Sequence, residues 1–513
     1  MKNPQPHWLS LDRETLRAWQ MLKLRSYLGG TVLPFSRHYQ ALFREHGLRP
    51  GALRDFSSLE HIPFTAKEDL FKGTRDFVLT PDERVLKRRP GTILSALMRG
   101  RETVKEELER EFRPLMMTST TGRSAEPAPF VYTAHDVKTL SVAGARVMRI
   151  CGARREMRML NMFPFAPHLA FWQTHYAGME FGVFMLSSGG GKALGTEGNL
   201  RLMRKIDPNV LIGMPTFIYH VLRAAADEGM QCAKLSMIVL GGEKAPAGMR
   251  RRLRTLARQL GAEAVNVLPT YGFTEAKMAW TQCPCEQPGD SSGYHLNPDL
   301  GIIEVIDPES GRQVADGEPG EVVWTPIEAR GSVVLRYRTG DLVSGGIVYG
   351  KCPHCGRAMP RLRGEISRTS EIKEMRLDKL KGTLVDFNRL EHILDDCEQV
   401  ATWQLEIRKT DDDPLELDEL ILHVQKANGA SDESVLSLLD ERFVAETETH
   451  PNRIVFHGEE ELRRMQGVGA LLKEQRVVDH RPRAGSPTPE PPRRDVLAAS
   501  SPNHQSSIIN HQS

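Results

Sequence analysis

Near the start of the chain, Leu16, Trp19, Leu22, Leu24 and Tyr27 recur at helical intervals and predict an amphipathic packing helix over residues 12–28. After "LEHIPFTAKEDLF", Thr65 is placed to cap a short helix. The charged stretch at 101–112 then reads as a helix with a solvated face. From residue 130 onward, helical patterns at His135 to Arg149, Asn199 to Ile206 and Thr216 to Glu228 alternate with short apolar runs. "SMIVLGG" (236–242) and "AVNVL" (264–268) flank a further helix, the pattern of a parallel sheet wound with helices. Beyond residue 300 the rhythm shifts to strands and turns in "IIEVID", "EVVWT" and "VVLRY". A smaller unit begins near residue 371, with strand-like "TWQLEIR" and "ELILHVQ", a helix over 432–446, then "NRIVFH" and "QRVVD".

Length and charge narrow the function classes. With 513 residues and about 100–200 residues per domain, two to four domains are expected. Lys and Arg total 68 against 66 for Asp and Glu, so no strong field draws the chain to nucleic acid or to an anionic membrane, and a small-molecule partner is expected. The seven cysteines are sparse, the N-terminus lacks an apolar signal segment, and no run approaches the roughly 18 apolar residues of a membrane span. A reducing cytoplasm follows, and there a Cys pair points to metal binding or catalysis rather than to a disulfide. Residues 482–513 are rich in Pro, Ser, Asn and Gln and are expected to be a disordered tail.

Three stretches carry oxygen chemistry. "MMTSTTGRSAEP" sets Thr118, Ser119, Thr120 and Thr121 before Gly122 and Arg123; hydroxyls and backbone N–H groups in such a turn surround phosphate oxygens, and the arginine offsets their charge. The Walker spacing is absent. "LPTYGFTEAK" follows an apolar run, which puts Tyr271 and Glu275 at the C-terminal end of a strand, where a carboxylate can hold Mg2+. "RYRTGDL" offers Asp341 in a turn after a strand, suited to a ribose diol.

In this order the stretches resemble the adenylate-forming (acyl-CoA synthetase) superfamily and, within it, the phenylacetate-CoA ligase-like branch. "LGGEKAP" (240–246), "YGFTE", "YRTGD", "CPHCGRAMPRL" with Arg368, "LKGTLVDFNRLE" (380–391) and "KEQRVVDHR" (473–481) carry the likeness, which runs from about Trp8 to Arg481. The resemblance implies an α/β fold in which 1–369 form a large adenylate-forming domain with helix-wound sheets and a β-rich subdomain. Residues 370–481 would form a small mobile α+β domain, hinged near Arg368 and Glu371.

The implied activity is ATP-dependent conversion of a carboxylic acid to an acyl-adenylate, then transfer to a thiol, coenzyme A or a carrier-protein arm. A non-catalytic nucleotide-binding homologue is the alternative, and a homodimer is compatible with either. Thr118, Ser119, Thr120, Thr121, Gly122 and Arg123 would hold the β- and γ-phosphates, Glu275 the Mg2+ and Asp341 the ribose. Gly242, Glu243, Tyr271, Gly272 and Thr274 would border the adenine, Arg368 the ribose or phosphates, and Lys473 would bridge carboxylate and α-phosphate. The acyl pocket would draw on Phe165, Phe171, Trp172, Gly213, Pro215 and Gly241, which favours an aromatic or otherwise apolar acid.

The cysteines form a separate constellation. Cys352 and Cys355 lie in a turn, and Cys285 and His295 lie beyond "YGFTE"; together they make a Cys3His set suited to structural zinc. Cys283 stands as the alternative to Cys285, with His354 a spare donor. Relative to the branch, Ser119 replaces a glycine, Arg123 a lysine, Ser370 an aspartate and Leu472 a glycine, all at moving parts.

Overall fold

The computed structural model describes residues 7–120, 128–285, 291–368, 387–409, 418–446, 451–468 and 474–480. The first predicted helix runs from Arg13 to Tyr27, and Asp12 starts it by accepting the Thr15 N–H at 2.9 Å. Leu16, Met21, Leu24 and Tyr27 are buried, whereas Leu22 is 58% exposed, on the opposite face to the one its spacing suggested. The short helix Lys67–Lys72 is not capped by Thr65; that hydroxyl donates to Leu335 O at 2.7 Å, and Asp69 takes the Ala66 N–H instead.

Strands β1 (Met116–Ser119) and β2 (Pro129–Tyr132) form an antiparallel hairpin. The main sheet comprises β3 (Arg158–Asn161), β4 (Phe184–Ser187), β5 (Val210–Gly213), β6 (Met237–Leu240), β7 (Asn266–Phe273) and β8 (Met278–Thr281). Its order is β4-β3-β5-β6-β7-β8, parallel except for β8. Continuous apolar runs such as "MIVL" can be strands here because helices cover the sheet, so every residue of β5 and β6 is buried. The chain winds outward from β3 to β4, then crosses back to β5. The C-terminal ends of β3 and β5 therefore flank the switch point at which open α/β sheets form a ligand crevice.

The β-rich part follows, with β9 (Tyr294–His295), β10 (Gly301–Ile306), β11 (Gly320–Pro326), β12 (Tyr337–Val343), β13 (Ile347–Val348), β14 (Arg361–Leu362) and β15 (Ile366–Arg368). Strands β10-β11-β12-β15 make one antiparallel sheet and β13-β14-β9 another. The expected "VVLRY" strand begins only at Tyr337, because Arg336 turns the backbone at φ 44°. Its buried guanidinium meets Glu304 at 3.1 Å through both Nε and Nη2, donates to Ile62 O at 3.0 Å and stacks on Phe64. Burial raises the Glu304 carboxyl above its ordinary range, and the Arg336 charge opposes that shift.

A third unit builds its own core from Leu390, Trp403, Leu422 and Phe443. It contains β16 (Val400–Lys409), β17 (Asp418–Lys426), β18 (Arg453–Phe456) and β19 (Val477–Asp479), in the order β18-β17-β16-β19, with helices Phe387–Asp396, Asp432–Glu446 and Glu459–Met465. Residues 482–513, expected as a tail, lie outside the described residues, as does Arg481. Among the described residues, no helix is long and apolar enough to cross a membrane.

Glu304→Ala leaves the Arg336 guanidinium buried without its carboxylate, and removing one partner of such a pair costs about 3–5 kcal/mol. Urea unfolding should register that loss; an unchanged midpoint would contradict the role given to this pair.

Candidate nucleotide site and cysteine cluster

The motifs meet at the C-terminal edge of the main sheet. Strand β7 overhangs β6, whose last pair is Leu240 with Pro269, and its free end pairs with β8 from Thr270 to Phe273. Gly272 permits that approach, since a Cβ there would lie 2.4 Å from the Ala279 Cβ. A 3-10 turn, Thr274–Ala276, then presents Glu275. Asp341 sits within β12 rather than in a turn after it, one residue past left-handed Gly340 (φ 70°).

Two hydrogen bonds cross between these motifs. The Tyr271 hydroxyl donates to Asp341 Oδ2 at 2.9 Å, and the Tyr337 hydroxyl donates to Glu275 Oε1 at 2.7 Å. Each segment thus supplies a tyrosine to the other's carboxylate, and all four groups are buried. Tyr337 belongs to the same "YRTGD" stretch, but its role depends on a partner 62 residues away. Opposite Asp341 on β15 stands Arg368, paired with it in register.

The phosphate-loop candidates begin on β1. Thr118 donates to the Tyr132 hydroxyl at 3.1 Å, and the Ser119 N–H donates to Pro167 O at 2.7 Å. Thr120 closes the base of the loop: its N–H donates to Ala128 O and its hydroxyl accepts the Ala128 N–H at 3.0 Å. Thr121, Gly122 and Arg123 lie outside the described residues.

Gly241 and Gly242 follow β6. The Gly241 N–H donates to Gly213 O at 3.1 Å, and Thr270 donates to Leu240 O at 2.8 Å. A Cβ on Gly241 would stand 2.4 Å from Thr270 Oγ1 and 3.2 Å from Phe163 Cζ. Phe163 therefore joins Gly213 and Gly241 at the crevice floor, although its spacing in the sequence carries no signal of this. Pro215 opens the helix Pro215–Asp227, and Thr216 donates to Glu243 Oε2 at 2.7 Å. Phe165, 68% exposed, packs edge-on against Phe171 at 5.2 Å and near Trp172 at 5.9 Å between ring centroids.

The C-terminal unit rests on the helices Pro215–Asp227 and Ala247–Gln259. Arg252 donates to the carbonyls of Ala401 (2.9 Å) and Cys397 (2.8 Å), and Arg251 pairs with Asp396 at 2.6 Å. Arg223 meets Glu459 at 3.0 Å, and His220 meets Glu474 at 3.1 Å. Lys473 and Glu371 lie outside the described residues.

Cys283, His295, Cys352 and Cys355 converge, with one donor atom from each lying within 4.8 Å of all the others. Cys283 Sγ is 3.7 Å from Cys352 Sγ, and Cys355 Sγ is 3.3 Å from His295 Nε2. Tetrahedral zinc with Zn–S of about 2.3 Å has S···S edges of about 3.8 Å, so this donor set fits. Of the four expected residues, Cys285 does not join; its thiol turns to Cys283 O at 3.6 Å. The physical reason is the exit from β8, where the Cys283 N–H is held by Ser292 Oγ at 2.9 Å.

Burial, followed by the Arg361 charge, lowers the His295 imidazole to about 4, and burial raises the Cys283 thiol. Burial also acts to raise the Cys352 thiol, but backbone N–H groups of Cys355 and His354 bring it below its ordinary value. A neutral imidazole and a favoured thiolate are the forms that ligate metal.

Comparison with known proteins agrees with this geometry. Residues 100–329 match the family model described as AMP-binding enzyme. The chain is 26% identical over 372 residues to the phenylacetate-coenzyme A ligase of Thermus thermophilus, covering 72% of this chain and 74% of that one. It is 24% identical over 394 residues to that of Aromatoleum evansii, covering 75% and 79%. Among solved structures, a 2-hydroxyisobutyryl-CoA ligase in its postadenylation state superposes with a TM-score of 0.69 at 18% identity, covering 91% of this chain and 90% of that one. The same ligase in its thioesterification state gives 0.59 at 18% identity, covering 92% and 91%. The fold is thus that of the adenylate-forming CoA ligases. The sequence is similar to the phenylacetate-coenzyme A ligases over about three quarters of its length.

Tyr337→Phe removes the donor to Glu275 and should destabilise the large domain by about 1.5–3 kcal/mol, the range for hydrogen bonds to charged groups. Chemical denaturation measures it, and wild-type stability in the variant would show that this bond contributes nothing.

Proposed function

We propose that this protein is an AMP-forming carboxylic acid–thiol ligase. It activates an apolar acid with ATP and passes the acyl group to coenzyme A, releasing AMP and pyrophosphate. The reading is carried by the reciprocal Tyr271–Asp341 and Tyr337–Glu275 bonds, which hold the two nucleotide motifs side by side at the edge of the switch-point sheet. Supporting it are the match to AMP-binding enzymes and the relatives that are themselves phenylacetate-coenzyme A ligases.

Both reactants are anionic, so the work of the site is charge neutralisation and alignment. Thr118, Ser119 and Thr120, with Thr121, Gly122 and Arg123, hold the β- and γ-phosphates, and Asp341 accepts the ribose hydroxyls. Gly242, Glu243, Tyr271, Gly272 and Thr274 border the adenine, and Arg368, beside Asp341, contacts the ribose or phosphates. Glu275 is the ligand for Mg2+, which when bound offsets phosphate charge. Lys473 bridges the substrate carboxylate and the α-phosphate; its neighbour Glu474 lies against His220 on the helix whose first turn holds Glu243. Phe163 and Gly241 form the floor of the acyl crevice, with Phe165, Phe171 and Trp172 on one side and Gly213 and Pro215 on the other. The exposed Phe165 face suits an aromatic acid. The unit from 370 to 481 swings between the two half-reactions.

The Cys283, His295, Cys352 and Cys355 cluster holds structural zinc. It ties the segment after β8 to the loop before β14, beside Trp8 and Leu16 of the N-terminal region. Such a thiolate site belongs in a reducing cytoplasm.

A screen of acids should show carboxylate-dependent exchange of labelled pyrophosphate into ATP and CoA-dependent AMP release, with Lys473→Ala losing about 10²–10³-fold of the exchange rate, as other charge-stabilising groups do. Absence of exchange over a broad panel of aryl and alkyl acids would refute the reading. Elemental analysis should find one zinc per chain, lost in Cys283→Ser and kept in Cys285→Ser; retention of zinc in Cys283→Ser would remove that residue from the ligand set.

A further inference from the structure

Lys277 is the last residue of the "LPTYGFTEAK" stretch, two residues past Glu275, and no role has been assigned to it above. It closes the turn that presents this carboxylate: its N–H donates to Thr274 O at 3.0 Å, and its backbone adopts φ 58°. That is left-handed space, which long side chains seldom occupy. The side chain does not escape to solvent; Lys277 is 6% exposed. Its ammonium lies 3.1 Å from Asp136 Oδ2 and 4.9 Å from the centroid of the Tyr132 ring, a cation–π contact.

Each of these partners belongs to a different part of the site. Tyr132 ends β2, and its hydroxyl accepts from Thr118, so the Tyr132 ring backs the base of the phosphate-loop hairpin. Asp136 begins the helix Ala134–Cys151 by accepting the Thr133 N–H at 3.0 Å. The same carboxylate takes the N–H groups of Arg330 at 2.9 Å and Gly331 at 2.7 Å, on the chain that leads to Arg336 and Tyr337. The segments at 132–136, 277 and 330–331 are therefore joined through one carboxylate, Asp136, which faces the buried ammonium.

A buried ion pair adds little net stability over apolar residues of the same volume, and its best-attested use is to specify one arrangement. Here the arrangement is that of the Glu275 turn relative to the phosphate hairpin. We propose that Lys277 is a positioning residue, whose ammonium, held between Asp136 and the Tyr132 ring, sets the register in which Glu275 meets a metal-bound triphosphate. The proposal rests on the ligase reading above. It goes beyond that reading by assigning the metal requirement to a residue that touches neither metal nor nucleotide.

The test is acid-dependent pyrophosphate exchange titrated with Mg2+, alongside thermal unfolding, for wild type, Lys277→Arg, Lys277→Met and the double variant Lys277→Met/Asp136→Asn. Groups that orient a metal ligand change metal affinity about 10–100-fold. Lys277→Met should therefore raise the Mg2+ concentration for half-maximal exchange at least about tenfold, with the KM for the acid within about twofold. Lys277→Arg, which keeps the charge, should recover most of the wild-type Mg2+ profile. The double variant leaves no unpaired charge, although the asparagine NH2 replaces one acceptor of a backbone N–H, and it should not recover the Mg2+ profile even where thermal stability improves.

A wild-type Mg2+ profile in Lys277→Met would overturn the proposal while leaving the ligase function intact. Recovery of both stability and Mg2+ profile in the double variant would also overturn it, by showing a purely structural pair. If Lys277→Met fails to fold, the arginine and double variants decide by the same criteria. Wild-type protein without any exchange would sink the ligase reading and this proposal together.

Discussion

Two tyrosine hydroxyls bonded to two buried carboxylates bind the main sheet to the β-rich sheet, and the site depends on them. A tyrosine suits this task because its ring is apolar and its tip polar. The Tyr271 ring packs with Phe273 and Trp280, the Tyr337 ring lies near Phe273, and Trp324 closes the group from β11. The rings are thus fixed by packing, and each hydroxyl reaches the carboxylate on the other segment. Shifting either sheet by one residue would break these bonds to buried carboxylates, and hydrogen bonds to charged groups contribute about 1.5–3 kcal/mol each.

The same logic recurs around the site with different partners. Arg336 is held by Glu304, Ile62 and Phe64, so the helical N-terminal region determines where β12 begins. Asp136 accepts from the chain at 330 and 331 and pairs with Lys277, so the hairpin, the turn and the β-rich sheet share one ionic centre. The C-terminal unit is attached by arginines at carbonyls and carboxylates and by the buried His220–Glu474 pair.

Much of the scaffold was legible in local periodicity. The helices near 13–27, 101–112 and 432–446 and the parallel pair around "SMIVLGG" and "AVNVL" stand where the pattern puts them, because burying one face imposes a period that the sequence must carry. The misses share a cause. Leu22 is apolar but lies on the face opposite the buried stripe, and "VVLRY" has strand composition but is bent by a turn anchored on Glu304. Thr65 has the chemistry of a cap, yet a carbonyl 270 residues away takes its hydroxyl. In each case a distant contact outweighed a local preference.

The chain by itself determined the types of chemistry on offer: hydroxyls and an arginine for phosphate, carboxylates for metal and ribose, thiols and an imidazole for a soft cation. Those follow from residue identity and short spacing. Only the tertiary structure decided which donors meet. It chose Cys283 over Cys285, two residues apart and alike in chemistry, because one points to Cys352 and the other to a carbonyl. It also brought Tyr337 to Glu275 and Lys277 to Asp136. Hydrogen bonds, ion pairs and metal ligation depend on distances of a few ångströms between segments that sheet packing brings together, and no local pattern encodes those distances.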